Sequence, residues 1–304
     1  MLILASAGGY TQTEPPPAAP KLETKNDFLL TPQDLEKTHW ANAKPYLDDP
    51  LPELRSAVPE LKGLDPAPGQ EQLTSILDRT GEKCVDLLRH MPNVISREEV
   101  TTQTPRGKRQ SRTFEYLLVS HQTPSGTELE EYRTVHGRPA MMADEFSQGQ
   151  VSKGFVTDWR RLAPGNRSQS RFRYLGQQEV DKHKTFVVAF AEIPGEVKTP
   201  ATFLFFGTWI SMLFQGVVWI DSTNFQIVRL REDILAPRPD AFLKKFTSKI
   251  QFADVEIPDA GLSLWLPQDV DIKWEFNGRA FQRIHHYSKF RLYAAKTRIL
   301  PAEP

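Results

Sequence analysis

The longest apolar run in the chain constrains its fold more than any other stretch. Residues 199–220 carry no charged side chain and include the segment FLFFGTWISMLFQGVVWI. A polar tetrapeptide follows at 221–224, and its residue types bond to their own backbone and accept turn dihedrals. Residues 225–231 then return to the β-branched and aromatic side chains that favour strands. We therefore predict two strands that fold back on each other at this tetrapeptide.

A transmembrane helix is the alternative interpretation of the same run, since about 20 apolar residues cross a bilayer. Gly207, Ser211, Gln215 and Gly216 interrupt its apolarity, and no basic cluster flanks it on one side. A strand that is buried on both faces explains the continuous apolarity better. Within that strand, Gly207 or Gly216 would mark a break or a bulge.

The overall composition is that of an ordinary globular protein. The 304 residues are 39% hydrophobic and 25% charged, which suits one large or two modest domains. Lysine plus arginine equal aspartate plus glutamate at 38 each, so the net charge gives no reason to expect nucleic acid as a partner. Two basic stretches, residues 106–109 and 160–173, are typical of solvated loops.

The first residues suggest export into the bacterial envelope. Residues 1–7 are apolar and end in a small-x-small pattern, although the basic segment of a secretory signal is missing. The single cysteine, Cys84, rules out an internal disulfide and falls on an apolar helical stripe, where a buried inert thiol is expected. No cysteine near the start could be lipidated. We predict a periplasmic or secreted protein, with peripheral association with the envelope as an option.

Composition divides the chain into three parts. Residues 1–25 hold the signal remnant and a proline-rich leader that is too polar to fold. Residues 26–68 hold a short helix that starts near Thr31, with Trp40 as its anchor, and then six prolines in 24 residues. Apolar residues spaced along this second part indicate an arm that wraps the domain. Residues 69–304 form the β domain.

One longer helix is predicted, from Gln70 to Met91. Its apolar residues recur at helical spacing along one stripe: Leu73, Ile76, Leu77, Cys84, Leu88 and Met91. Pro92 stops the helix. Gly81, in its middle, costs about 1 kcal/mol relative to alanine. We therefore expect packing on a large partner to hold the helix.

Strand patterns fill most of the remaining chain. Beyond the central hairpin, we predict strands at 94–101, 112–121, 128–135, 172–178, 185–192, 246–257, 262–266, 270–276 and 281–293. Residues 270–276 alternate apolar and charged, as in a strand with one dry and one wet face. Asn277-Gly278 then closes a hairpin. Residues 141–163 interrupt the pattern as a loop with a short helix lying over the sheet.

No arrangement of residues indicates an enzyme, a cofactor or a metal. The chain lacks the Gly-x-Ser-x-Gly, His-Glu-x-x-His, phosphate-loop and dinucleotide-binding patterns. His285 and His286 are neighbours on a strand and point to opposite faces, so they cannot readily share a metal. The same geometry argues against catalytic carboxylate pairs at 98–99 and 130–131, where we expect exposed strand ends. We predict a non-enzymatic protein without catalytic residues, metal ligands or cofactor.

Aromatic residues are concentrated in the last third of the chain, which holds many of its six Trp and 18 Phe. One explanation is a well-filled core, since aromatic side chains carry most of the buried area in β proteins. The other is an apolar face that holds a hydrophobic guest. For that second case we predict these side chains as the wall of the site: Trp209, Phe214, Trp219, Trp274 and Phe276.

Several motifs in order carry a family resemblance. They are Gly-Val-Val-Trp-Ile-Asp at 216–221, Gln-Ile-Val-Arg-Leu-Arg at 226–231, a long strand at 247–252, Leu-Trp-Leu-Pro at 264–267 and a strand at 281–293. Together they resemble the core of the outer-membrane lipoprotein-sorting superfamily, the LolA/LolB-like fold, and look most like exported proteins of acidobacteria. The resemblance implies an antiparallel sheet curled into an incomplete barrel, helices that plug its open side, and a cavity that receives lipoprotein acyl chains. No functional residue of the sorting carriers matches a position here.

These observations predict an α+β, mainly β fold, in which helix 70–91 and a second short helix pack on the open side of a curved antiparallel sheet. The predicted function is to bind a hydrophobic ligand, lipid or lipoprotein acyl chains, in the concave face. The alternative is a non-catalytic structural or protein-interaction module of the cell envelope with a filled core, and an enzyme is a third class. An apolar pocket on the order of several hundred Å3 between helix and sheet would favour the carrier, and a packed interior would favour the module.

Overall fold

The computed structural model describes residues 40, 43–123, 126–139, 155–156, 158–198, 200–205 and 208–293. The α-helices with described bounds are α1 (Leu51–Ala57) and α2 (Leu73–His90). The strands are β1 (Asp65–Pro66), β2 (Val94–Gln103), β3 (Arg109–Thr123), β4 (Gly126–Val135), β5 (Arg138–Pro139), β6 (Ser170–Val180), β7 (His183–Glu192), β8 (Ala201–Phe205), β9 (Thr208–Met212), β10 (Phe214–Asp221), β11 (Ile227–Ile234), β12 (Leu243–Ile257), β13 (Leu262–Phe276) and β14 (Arg279–Leu292). The predicted leader and the helix start at Thr31 lie outside the described residues.

Most of these strands belong to one large antiparallel sheet. Its order is β1-β6-β7-β10-β11-β12-β13-β14-β2-β3-β4-β5, and β8 and β9 form a separate hairpin. The two edge strands, β1 and β5, do not pair with each other in the described part of the chain, so the sheet stays open. The predicted class, mainly β with an antiparallel sheet that does not close into a barrel, is confirmed.

β10 lies between β7 and β11, and its eight residues are all buried. Its side chains alternate between two covered faces. We call the face on which residues 155–156 and 158–169 pack the inner face; there Arg161 lies 4.6 Å from the ring centroid of Phe190. On the opposite, outer face, Gln215 Oε1 accepts a hydrogen bond from the Tyr46 backbone N–H at 2.8 Å. The predicted strand with two buried faces is therefore confirmed for residues 214–221, whereas residues 201–205 and 208–212 of the same apolar run form the separate β8–β9 hairpin.

The transmembrane alternative is wrong for this run, because residues 201–205, 208–212 and 214–221 are strands. Among the described residues, no helix has both the length and the apolarity needed to cross a bilayer.

The outer face of β6, β7, β10 and β11 is covered by residues 46–66, which we call the arm. Its apolar side chains are buried: Leu54, Val58, Leu61 and Leu64. Glu60 fixes the arm to the sheet through ion pairs with Arg231 and with Lys249, the latter at 2.6 Å. Burial raises the pKa of Glu60, but the hydrogen bond from Lys249 and the charge of Arg231 outweigh it and leave the pKa at about 2. The arm is thus ionically latched as well as packed.

The predicted turns are confirmed in detail. Asp221 Oδ1 accepts the backbone N–H groups of Thr223 at 2.7 Å and Asn224 at 3.0 Å, which closes the β10–β11 turn. Asn277 and Gly278 both have positive φ, 47° and 67°, as the tight turn between β13 and β14 requires.

Two boundaries differ from the sequence expectations. α2 begins at Leu73 rather than Gln70, because the Gln70 side chain makes two hydrogen bonds of 2.8 Å with the backbone of Tyr174 on β6. The segments predicted at 262–266 and 270–276 form one strand, β13, whose pairing with β12 shifts at Gln251/Phe252. A bulge absorbs the irregularity around Pro267 without ending the strand.

Gly216 has a different role from the break or bulge that was predicted. The register of β10 against β11 shifts between Trp219 and Ile220, not at Gly216, and Gly207 lies outside the described residues. A Cβ at Gly216 would overlap the carbonyl oxygen of Arg231 and lie 2.5 Å from the Phe190 ring. Glycine is needed there because Phe190 packs directly on the backbone.

We expect Gly216→Ala to destabilise the protein by about 1–3 kcal/mol, the usual cost of overpacking a core. Gly165→Ala is the matched control, since a Cβ there meets no atom within 4 Å. Urea denaturation measures both variants, and equal stability of the two would contradict the packing described for Gly216.

Candidate functional site

The inner face of the sheet forms an apolar floor. Phe214 on β10 lies edge-on to Phe246 on β12, with ring centroids 5.9 Å apart. Trp274 on β13 stacks on Phe281 of β14 at 5.3 Å and an interplanar angle of 7°. Aromatic contacts of this kind stabilise beyond the area that they bury. With Phe190 on β7, the floor therefore carries aromatic rings on β7, β10, β12, β13 and β14.

Residues 155–156 and 158–169, which we call the cover, lie on this floor. The cover is built of two short 3-10 helices, Asp158–Leu162 and Pro164–Gln169. Trp159 and Leu162 are buried beneath it. The short helix predicted within 141–163 is thus present at 158–162, and residues 141–154 lie outside the described residues. Without a long helix of its own, the cover depends on side-chain contacts to stay in place.

α2 supports the cover from the side. At Gly81, a Cβ would lie 2.9 Å from the carbonyl oxygen of Leu162, so the helix and the cover are in close contact there. Gly81 costs helix stability, and this contact explains why glycine occupies the position. Cys84, one turn further on, is 5% exposed, and burial raises the pKa of its thiol to about 12. Its thiol is accordingly in the inert protonated form.

One arginine fastens the cover to the floor. Arg161 forms ion pairs with Glu192 at 3.0 Å and with Glu232, and its guanidinium lies over the ring of Phe190. The other oxygen of Glu192 accepts the backbone N–H of Phe214 at 2.8 Å. A charged group is thereby held in the middle of an otherwise apolar contact.

The carboxylates around Arg161 exceed its single positive charge. Glu192, Glu232 and Asp158 all face this guanidinium. Burial is the main cause that raises the pKa of Glu232 to about 7, with Glu192 adding to it and Arg161 opposing it. Burial likewise raises the pKa of Asp158, and the charge of Glu232 raises it further. Near neutral pH the group therefore retains a proton.

The raised pKa of Glu232 predicts a pH effect. Because the folded pKa is about 7 and the unfolded value is about 4.3, its contribution to stability is fully present below pH 4 and is lost as the pH rises through 7. We expect the free energy of unfolding to fall by about 1–3 kcal/mol more in the native protein than in Glu232→Gln between pH 5 and 8.5.

Urea denaturation across this pH range makes the measurement, with Glu196→Gln, at an exposed position, as control. The assignment would be contradicted by a Glu232→Gln variant that keeps the native pH slope.

A second buried polar cluster lies under Phe155 of the cover. Glu98 on β2 is completely buried and receives hydrogen bonds from Arg133 on β4 at 2.8 Å. Glu98 also bonds to His285 Nδ1 on β14 at 2.7 Å, and the His285 ring lies edge-on to Phe155 at 5.1 Å. Burial raises the pKa of Glu98, but Arg133 and His285 outweigh it and hold the pKa well below its usual range.

The expectation of exposed strand ends at 98–99 and 130–131 is therefore wrong for one residue of each pair. Glu98 is buried, and Glu131 faces inward and accepts a hydrogen bond from Tyr116. Their neighbours Glu99 and Glu130 are on the outer face, as strand alternation requires. The inward carboxylates are tolerated because Arg133, on β4, places a compensating charge between them, a partner that the sequence does not reveal.

His285 and His286 point to opposite faces, as predicted. His285 is 2% exposed, and burial lowers its pKa to about 4, so the ring is neutral. His286 is exposed and bonds to Asp269 at 2.7 Å. Within the described ranges, His, Cys, Asp and Glu side chains form no group of three that could hold a metal ion. The hydrogen bonds of Glu98 with Arg133 and His285 link β2, β4 and β14.

We expect Glu98→Gln to destabilise the protein by about 3–5 kcal/mol, because it removes the carboxylate that forms the hydrogen-bonded ion pair with buried Arg133. Glu99→Gln is the matched control, since that carboxylate pairs with Arg97 at 2.6 Å on the exposed face and should cost less than about 1 kcal/mol. Guanidinium denaturation would disprove the assignment if the two variants were equally stable.

The structure separates the side chains predicted to form one wall. Phe214 and Trp274 both lie on the inner face and are 2% exposed. Phe276 is half-buried beside the exposed Phe242, with ring centroids 6.4 Å apart. Trp219 lies on the outer face under the arm, and the Trp209 side chain falls outside the described residues.

The placement of Trp219 corrects the idea of a single wall. Its Nε1–H donates to Gln178 Oε1 at 2.8 Å. Trp219 and Phe214 are five positions apart on one strand, an odd interval that sends them to opposite faces. A shared wall with Phe214 is therefore impossible for Trp219.

The interior between the floor and its coverings is closely packed where its walls are described. One cavity, against Tyr116, Phe155 and Tyr287, has a volume of about 10 Å3. Another, between Cys84 of α2 and Trp265 of β13, is equally small. Each could hold at most one water molecule. As it stands, this part of the interior matches a filled core rather than an open pocket.

Sequence reasoning missed the residues that fasten the cover. Arg161 was included in a basic stretch that we expected to be solvated, and Glu232 was not singled out. A signal was present: Leu230, Glu232 and Ile234 alternate on β11, so period-two spacing places Glu232 on the same face as two apolar residues. A charge at such a position needs a buried partner.

Comparison with known proteins finds solved structures that are similar to this chain. No family model matches the chain, and no curated protein matches it. A lipoprotein-sorting protein domain from Vibrio parahaemolyticus is 10% identical, with a TM-score of 0.42 over 73% of this chain and 93% of that one.

Two further solved structures are similar. A LolA superfamily protein from Nitrosomonas europaea is 15% identical, with a TM-score of 0.36 over 73% of this chain and 94% of that one. A DUF1329 family protein from Desulfovibrio piger is 11% identical, with a TM-score of 0.38 over 74% and 94%. Two of these three structures carry the names of the superfamily that the sequence motifs resemble, and the likeness to acidobacterial proteins stays a prediction.

Proposed function

We propose that the chain binds a hydrophobic ligand, a lipid or the acyl chains of a lipoprotein, on the inner face of the sheet after the cover is displaced. One observation carries the proposal: an aromatic floor is closed by short 3-10 helices that are fastened through the buried ion pairs of Arg161. Buried ion pairs stabilise less than apolar packing of similar volume, since their desolvation offsets their attraction. The cover should therefore cost less to open than a purely apolar contact of the same volume.

The free energy of burying an acyl chain is large enough for a ligand to replace the cover on the floor. Burying a methylene group contributes about 0.8 kcal/mol, so ten methylenes of an acyl chain contribute about 8 kcal/mol. The ligand would replace the packing of the buried Trp159 and Leu162 of the cover and the contact of Arg161 with Phe214. Phe214 and Trp274 are the predicted wall residues on this floor, and Phe276, beside exposed Phe242, stands at its end.

The packed interior supports a second candidate function. Because the two cavities described between the floor and its coverings measure only about 10 Å3 each, the fold also suits a non-catalytic structural or protein-interaction module. In that case the cover stays closed and the surface engages a polypeptide.

We place either function in the bacterial envelope, periplasmic or secreted. The support for this location is the apolar, signal-like pattern of residues 1–7.

Binding of a fluorescent fatty acid to delipidated protein tests the proposal. We expect micromolar affinity that rises several-fold in Glu232→Gln, in which the cover loses one ionic partner, and an unchanged affinity in Glu196→Gln. Mass spectrometry of the natively purified protein should reveal bound lipid. No probe binding in any variant, together with a co-purified polypeptide, would contradict lipid binding and favour the module.

A further inference from the structure

A groove of about 520 Å3 lies on the outer face of the sheet, beyond the part that the arm covers. It runs over β12, β13 and β14 and is bounded by the turn between β2 and β3. Its volume falls in the range of small-molecule sites, about 300–1,000 Å3. These polar side chains line it: Gln103, Thr104, Lys245, Thr247, Lys273, Glu275 and Gln282.

Four of the lining residues stand side by side on adjacent strands. Thr247 pairs with Lys273, Lys273 with Gln282, and Gln282 with Gln103. Side chains at paired positions point to the same face of a sheet. The groove therefore presents an ammonium and two amide groups along one line, beside the Thr247 hydroxyl, which donates a hydrogen bond to Asp233 at 2.6 Å.

Positive charge exceeds negative charge inside the groove. Lys245 is diagonal to Lys273 on the next strand, at a spacing of about 7–8 Å. The carboxylate opposite Lys245 belongs to Glu275, which is paired with Lys244 at 3.2 Å. Asp271 lies 3.4 Å from Lys273 and also accepts a hydrogen bond from Gln282. Across the described ranges, Lys245 has no ion-pair partner.

The turn between β2 and β3 adds cations at the rim. Arg106, Lys108 and Arg109 are exposed, and none of them has a carboxylate partner in the part of the chain that the structure describes. Arg109 pairs with Gln103 in the sheet, which places it on the face of the groove. Because the whole chain has equal numbers of acidic and basic residues, this excess of positive charge is a local feature.

We propose that the groove binds a phosphate-bearing polyanion. The lining carries Lys245 and Lys273, and ammonium groups bind phosphate as point charges. The amide groups of Gln103 and Gln282 can donate hydrogen bonds to the remaining phosphate oxygens. A bound polyanion also relieves the repulsion between these two lysines. The paired polar side chains point to the face opposite the aromatic floor, and Trp274 and Phe281 of that floor also border the groove.

Two sources offer this chemistry, soluble polyphosphate and the head group of an anionic phospholipid. Calorimetry with sodium tripolyphosphate at about 50 mM salt tests the first, since at this ionic strength surface charges are weakly screened. Co-sedimentation with phosphatidylglycerol vesicles, against phosphatidylcholine vesicles, tests the second. We expect binding in at least one of these two experiments, and we expect it to weaken as the salt concentration is raised.

The double variant Lys245→Gln/Lys273→Gln should bind at least tenfold more weakly. Lys62→Gln/Lys184→Gln removes the same charge from two exposed positions outside the groove and should bind within twofold of the native protein. Tripolyphosphate binding identifies a soluble ligand, and vesicle binding alone identifies a lipid head group. The proposal would be overturned if neither tripolyphosphate nor phosphatidylglycerol vesicles bound, or if the control variant lost as much affinity as the Lys245→Gln/Lys273→Gln variant.

Discussion

The burial of β10 on both faces is the constraint on which the rest of the structure depends. A strand with eight buried residues needs neighbours on both edges and a covering on each side. The arm supplies one covering and latches it through Glu60. The cover and α2 supply the other, and Gly216 lets Phe190 approach the strand between them. The open sheet is thus stabilised at its centre by layers on both faces.

The sequence predicted the elements well because their signals are local. Period-two alternation and Asn277-Gly278 placed β13 and β14, and the self-bonding tetrapeptide placed the β10–β11 turn. What failed depended on tertiary partners. Glu98 looked like part of an exposed pair because its partner Arg133 is 35 positions away in the chain. Arg161 looked solvated because its carboxylate partners come from β7 and β11.

The sequence predicted the aromatic character of the candidate site but not which residues form it. Aromatic enrichment pointed to the inner face, and Phe214 and Trp274 do lie on it. Trp219 shows the limit of the reasoning, because strand alternation alone would have separated it from Phe214. The two faces of the sheet consequently carry different chemistry: aromatic and covered on the inside, cationic and grooved over β12 to β14 on the outside.

Native-state hydrogen exchange tests most directly whether the cover opens while the sheet stays intact. The account predicts that amides of residues 158–169 exchange through an opening that costs several kcal/mol less than that of residues 214–221, as expected of a locally unfolding unit. A hydrophobic ligand should alter exchange in the cover and leave that of β10 unchanged. Exchange of both segments at the single global free energy of unfolding would contradict a movable cover.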